Sequence, residues 1–133
     1  MILVDTSVLM SLLKDQKKQT TALFDYILDK KIPYGITTFI YQEILQGAKT
    51  DKEYRLLKEY FETIPLYYLK YGKESYEQAA LLNIRCKQKG IIIRSTIKLL
   101  IAETAIENNL YLLHNDNDFI NIAAVIKELK LYK

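Results

Sequence analysis

Cysteine and histidine each occur once, at Cys86 and His114. A single cysteine leaves no intrachain disulfide and no cysteine-based zinc site, and a single histidine leaves no histidine cluster. There are four glycines in the whole chain and no glycine-rich loop that could cradle phosphates, which argues against a nucleotide-triphosphate enzyme. No apolar run is long enough to cross a membrane. The apolar start is only a few residues long and runs into Asp5, so it does not read as a signal peptide. These absences make a soluble cytoplasmic protein the expectation.

What is present points to a well-filled core. Half of the 133 residues are apolar, enough for one domain with one core. Net charge is +3, from 19 basic and 16 acidic residues, a mild excess that permits a phosphate-bearing partner without requiring one. Most of the eleven tyrosines are expected at apolar-periodic, packing positions.

The stretch Met1-Ile2-Leu3-Val4-Asp5-Thr6-Ser7 organises the rest. A continuous apolar run suits a strand buried on both faces of a parallel sheet. Asp5 stands where that strand ends, and in open α/β sheets ligand sites form beyond the carboxyl ends of strands. Asp5 also reads equally well as a cap for the next helix. Further along, helices are expected over Ser7–Leu13, Thr20–Leu28, Thr38–Gln46, Lys52–Phe61, Lys73–Lys89, Thr96–Glu107 and Asp118–Ile126. Strands are expected at Pro33–Ile36, Leu66–Leu69, Leu110–Leu113 and Leu129–Tyr132, with Lys14–Lys18 a solvated loop. The helix over 52–61 is expected to turn Leu56, Leu57, Tyr60 and Phe61 inward, and the one over 73–89 to pack Tyr76, Ala79, Ala80, Leu82 and Ile84. This alternation predicts an α/β fold with a central parallel sheet flanked by helices.

The two most apolar strands both run into acids. Ile2-Leu3-Val4 ends in Asp5, and Leu110–Leu113 is followed by His114-Asn115-Asp116-Asn117-Asp118. If the strands are parallel, both sets lie at one edge. Glu43 lies between Ile40 and Ile44 in an apolar helix segment, where a carboxylate is costly unless paired or bound to a cation. The competing reading turns Glu43 sideways to solvent with Gln42 and Gln46. Three carboxylates without cysteine or histidine suit Mg²⁺ or Mn²⁺, ions that clamp phosphate oxygens and activate water.

At this point the chain resembles the PIN domains, and more narrowly the VapC-type toxins of toxin–antitoxin pairs. The likeness rests on Leu3-Val4-Asp5-Thr6-Ser7, on Thr37-Thr38 with Glu43-Ile44-Leu45-Gln46-Gly47, on Gly90 to Ile97 with Leu99-Leu100-Ile101-Ala102, and on Leu112 to Phe119. The resemblance implies a single PIN-like domain over residues 1–133 and a metal-dependent endoribonuclease that cuts RNA. It also implies silencing by a cognate antitoxin and assembly as a homodimer. Asp5, Glu43 and Asp116 match the family's first, second and fourth acids. Asp118 matches a less regular additional acid, and Ser7 a supporting hydroxyl.

Lys98 departs from the pattern, standing where the family carries its third aspartate. The expected site then holds three carboxylates and one ammonium, a formal −2 instead of −4, and the ammonium repels a divalent cation. Three readings compete. Lys98 abolishes tight metal binding and leaves a nuclease fold with little activity, a catalytically inactive binding partner of antitoxin or RNA at the limit. Or it is a tethered cation that pairs with Asp5 and Asp116 and touches the scissile phosphate. Or it swings out and leaves a weaker metal site. The first is favoured, because an ammonium buried among carboxylates readily substitutes for an ion. Glu103, five residues on, faces away from Lys98; Asp118 is the better stand-in.

Other residues read more plainly. His114 suits a structural role or a substrate contact better than a general base. Cys86 reads as an ordinary helix residue. Arg94, Lys14–Lys18 and Lys30-Lys31 either guide RNA or are solvated surface charge. The helices over 52–61 and 73–89 either form a groove for an antitoxin segment or bury ordinary core faces.

Overall fold

A computed structural model describes residues 1–15 and 17–133. Chain order is β1 (Ile2–Val4), α1 (Thr6–Leu13), α2 (Gln19–Asp29), β2 (Tyr34–Thr37), α3 (Thr38–Gln46), α4 (Asp51–Phe61), β3 (Leu66–Tyr67), α5 (Lys73–Gln88), α6 (Thr96–Glu107), β4 (Tyr111–Leu113), α7 (Asn117–Val125) and β5 (Lys130–Leu131). The expected Lys14–Lys18 loop includes Gln16, which lies outside the described residues. Its neighbours Lys14, Asp15, Lys17 and Lys18 are exposed.

The five strands form one parallel sheet in the order β3-β2-β1-β4-β5. The first strand of the chain is therefore the middle strand of the sheet. From it the chain winds outward through β2 and β3, then crosses by α5 and α6 to β4 on the other side of β1. That reversal opens a crevice at the carboxyl ends of β1 and β4, the position where open α/β sheets place ligands. Ile2, Leu3 and Val4 pair with Tyr111, Leu112 and Leu113. One further step in that register brings Asp5 level with His114.

Local chemistry explains where the helices begin. The side chains of Asp5, Thr37, Thr50, Ser95 and Asp116 each accept a backbone N–H in the first turn of α1, α3, α4, α6 and α7. Each such cap is worth about 1 kcal/mol. Leu3, Val4, Ile36, Leu112 and Leu113 are fully buried, and Ile27, Ile40, Ile44, Ile101, Phe119 and Ile122 cover the sheet. Burying each large side chain contributes roughly 1.5–3 kcal/mol. Gly35 lets β3 approach, since a Cβ there would lie 2.6 Å from the Pro65 carbonyl oxygen and 2.7 Å from the Tyr67 ring.

Several packing expectations are corrected. Leu56 and Tyr60 are exposed at 57% and 65%, while Leu57 and Phe61 pack. The pairs 56/60 and 57/61 form neighbouring stripes on α4, and only one stripe can meet the sheet. On α5, Ala79, Leu82, Cys86 and Ser75 are buried, while Tyr76, Ala80 and Ile84 are exposed. Tyr26, Tyr54, Tyr60, Tyr68, Tyr71, Tyr76 and Tyr111 all lie at the surface, because a phenol carries both an apolar ring and a hydroxyl that water solvates. Of the two readings left open for α4 and α5, a shared groove or ordinary core faces, neither holds alone: each helix borders a hollow of its own. One lies where α1, α2 and α4 meet, lined by Leu12, Phe24, Leu28 and Tyr60, and the other between α5 and α6.

Candidate active site

Asp5 leaves β1 at the crevice floor. Its backbone N–H donates to the Leu113 carbonyl at 2.9 Å, which ties the end of β1 to the end of β4. Its carboxylate is buried, 5% exposed, and Oδ2 accepts both the Ser7 backbone N–H at 3.1 Å and the Ser7 hydroxyl at 2.6 Å. The cap and the candidate site residue are thus the same group. Burial pushes the Asp5 carboxyl above its ordinary value; the Ser7 hydroxyl and the Ser7 and Thr6 N–H groups partly offset this, and the Asp116 charge adds to it. Ser7 Oγ in turn accepts the Asn115 N–H at 2.9 Å, so one hydroxyl bridges the first acid and the loop carrying the last.

His114 and Asp116 stand on that loop. The Asp116 N–H donates to His114 Nδ1 at 3.0 Å, so a neutral imidazole carries its proton on Nε2. Burial holds the His114 pKa below its ordinary value despite the opposing pull of Asp5 and Asp116. The ring packs edge-on against Phe119 at 5.3 Å, in keeping with a structural role.

Lys98 reaches this loop from the first turn of α6. Its Nζ lies 2.6 Å from Asp116 Oδ2 and 2.9 Å from Asp118 Oδ2. Asp116 Oδ1 accepts the Asp118 N–H at 2.9 Å. Burial acts to raise the Asp116 pKa, but the Lys98 hydrogen bond, the Asp118 N–H and the Lys98 charge outweigh it and hold the carboxyl below its usual value. Burial likewise acts to lower the Lys98 pKa, and the two carboxylates reverse it. The reading that pairs Lys98 with Asp5 and Asp116 is corrected in one partner: the ammonium meets Asp116 and Asp118, while Asp5 Oδ2 faces Ser7. Lys98 has not swung out to solvent.

Glu43 is half-buried at the rim, beside the buried Ile40 and Ile44. Its Oε1 accepts the Thr6 hydroxyl at 3.0 Å. It therefore turns toward the residue after Asp5, while Gln42 and Gln46 are exposed and bond each other. Sequence reasoning did not single out Thr6 or Asn115. Their signal was the pair of hydroxyls after Asp5 and the amide before Asp116.

Glu103 does face away from Lys98, into a second buried cluster between α5 and α6. Burial, with the Glu107 carboxyl beside it, pushes its pKa up to about 8, while Arg85 pulls the other way.

Carboxylate-only ligation suits Mg²⁺ or Mn²⁺. As the side chains stand, however, no group of three or more histidine, cysteine, aspartate and glutamate residues is disposed to hold an ion among the described residues. Asp116 and Asp118 turn their oxygens to the Lys98 ammonium, and Asp5 and Glu43 turn theirs to Ser7 and Thr6. The arrangement does not fit a divalent ion while Lys98 is seated.

The winding of this sheet, with acids gathered beyond the carboxyl ends of β1 and β4, defines a parallel α/β class with a candidate site where the strand order reverses. The chain belongs to the PIN domain family, whose profile matches residues 2–125. Solved structures share the fold across their length. VapBC2 from Rickettsia felis, bound to a DNA fragment from their promoter, is 23% identical with a TM-score of 0.72, covering 99% of this chain and 98% of that chain. VapBC-1 from nontypeable Haemophilus influenzae is 20% identical with a TM-score of 0.73, covering 100% and 98%. A toxin–antitoxin complex from Klebsiella pneumoniae is 20% identical with a TM-score of 0.67, covering 98% and 100%. No curated protein matches the chain by sequence. No helix among the described residues is long and apolar enough to cross a membrane.

Proposed function

We propose that this chain is the toxin-type member of a toxin–antitoxin pair, a PIN endoribonuclease directed at RNA phosphodiester bonds. Its acids are Asp5, Glu43 and Asp116, with Asp118 beside them and Ser7 positioning Asp5. The observation that carries this reading is the convergence of the Asp5 and Asp116 segments at one sheet edge, where the Ser7 hydroxyl donates to Asp5 Oδ2 at 2.6 Å and accepts the N–H of Asn115, the residue before Asp116, at 2.9 Å. Glu43 approaches through its bond to Thr6. Mg²⁺ or Mn²⁺ is the cofactor such a carboxylate set takes, and the seating of Lys98 makes the wild-type chain a slow enzyme at best. The same ion pair favours a second reading, in which this chain is catalytically silent and acts by binding antitoxin or RNA.

The apolar hollow of α1, α2 and α4 suits an antitoxin segment. Homodimer assembly and a cytoplasmic location belong to the same proposal; light scattering on the purified chain tests the first. Cleavage of labelled RNA with Mn²⁺ tests the activity, run on wild type, Lys98→Asp and Asp5→Ala/Lys98→Asp. Cutting by Lys98→Asp that vanishes in the double variant supports the nuclease reading. No cutting by wild type or by Lys98→Asp leaves the binding reading. Cutting that persists without Asp5 rules this notch out.

A further inference from the structure

The notch contains more opposite charge than a surface ion pair. Lys98 Nζ is held by two carboxylates from one loop, at 2.6 and 2.9 Å, with each side chain less than a third exposed. The stem rises from the first turn of α6, where the Ser95 hydroxyl caps the helix by accepting the Lys98 N–H at 3.3 Å. Its base is therefore fixed, and the ammonium is delivered to one place. The two acids are fixed as well, because Asp116 caps α7 through the Asp118 N–H and Asp118 stands in the first turn of that helix. The pair joins two helix starts across the crevice, α6 on one side and α7 on the other.

From this geometry we infer that Lys98 is the resident cation of the notch. It replaces a divalent ion as the charge that holds α6 to the loop after β4, so the folded protein needs no metal to complete this site. The inference rests on reading the notch as the functional centre, and it states how that centre is neutralised in this chain. A divalent ion entering would have to displace the ammonium from Asp116 and Asp118 and then lie beside it. Replacing Lys98 with aspartate changes the local charge by two, and the interaction of a 2+ ion with that change exceeds a hundredfold in affinity even with strong screening (on the order of 1 kcal/mol per unit-charge pair at 4 Å in water).

Mn²⁺ titration of the full chain, followed by the spin-resonance signal of free Mn²⁺, tests this without any RNA. Wild type should leave Mn²⁺ free through the millimolar range, and its melting temperature should ignore EDTA. Lys98→Asp should bind at least about a hundredfold more tightly and melt higher with Mn²⁺ than with EDTA. Lys98→Gln, which removes the charge at nearly constant bulk, should show a smaller gain and guards against an aspartate variant that folds poorly. Adding Asp5→Asn to Lys98→Asp should weaken the new binding and so place it in the notch. Mn²⁺ binding by wild type below the millimolar range overturns the inference, and so does failure of both variants to gain affinity. Either result stands apart from the cleavage assay, which tests the nuclease reading through product alone.

Discussion

Glu103 offers a prediction that the candidate site does not touch. It is 5% exposed, inside the contact of α5 with α6. Glu107 Oε1 accepts the Lys70 N–H at 2.7 Å and the Ser75 hydroxyl at 3.0 Å, while Oε2 is buried without a donor unless Glu103 carries a proton. The pKa of about 8 expresses this. Between the ordinary value of 4.5 and 8, the folded chain keeps a proton that the unfolded chain releases. Stability therefore falls as pH rises through that window, at up to about 1.4 kcal/mol per pH unit. The full span would amount to roughly 5 kcal/mol, and local opening of the α5–α6 contact caps it at roughly 2–4 kcal/mol. Glu103→Gln supplies a permanent amide donor to Glu107 and cannot ionise. Its melting temperature should match wild type near pH 5 and exceed it by roughly 6–15 °C near pH 8.5. Circular-dichroism melts of both proteins across that range read the difference. Parallel curves would refute the shared proton.

Three further perturbations follow from distances already given. Lys98→Met should raise the Asp116 carboxyl pKa, read by carbon NMR; wild type gains stability from that depressed pKa above the ordinary carboxylate range and loses it as pH falls, and the variant should lose that acid-side slope, whereas an unmoved titration would mean the ion pair does not form in solution. Ser7→Ala removes the bridge between Asp5 and the Asn115 N–H and should cost about 1–3 kcal/mol in urea unfolding; a variant as stable as wild type would show the bridge is idle. Gly35→Ala drives a Cβ against the Pro65 carbonyl, which is backbone and cannot turn aside, so a loss of about 1–3 kcal/mol or more is expected, and an unchanged urea midpoint would contradict the close approach of β3.

Much of the fold was legible because its signals are local. Strand runs such as Ile2-Leu3-Val4 end in cap residues, and Thr37, Ser95 and Gly90 mark helix limits within a residue or two of where they fall. The strand-to-acid junctions at Asp5 and Asp116 were legible for the same reason, as was the odd lysine in the apolar helix of Leu99, Leu100 and Ile101. Exposure was read less well, since adjacent stripes on α4 and α5 differ by one residue, and a tyrosine satisfies either side.

By itself the amino-acid order determined the alternation of strands and helices, the acids at two strand ends and the charge of position 98. The folded arrangement alone decided that β1 and β4 lie side by side, that Lys98 chooses Asp116 and Asp118 over Asp5, and that Glu103 meets Glu107 under Lys70 and Ser75. The physical reason is range. Caps and periodicity act over a few residues, whereas a carboxylate's partner depends on which distant element packs beside it and which of its oxygens is already taken.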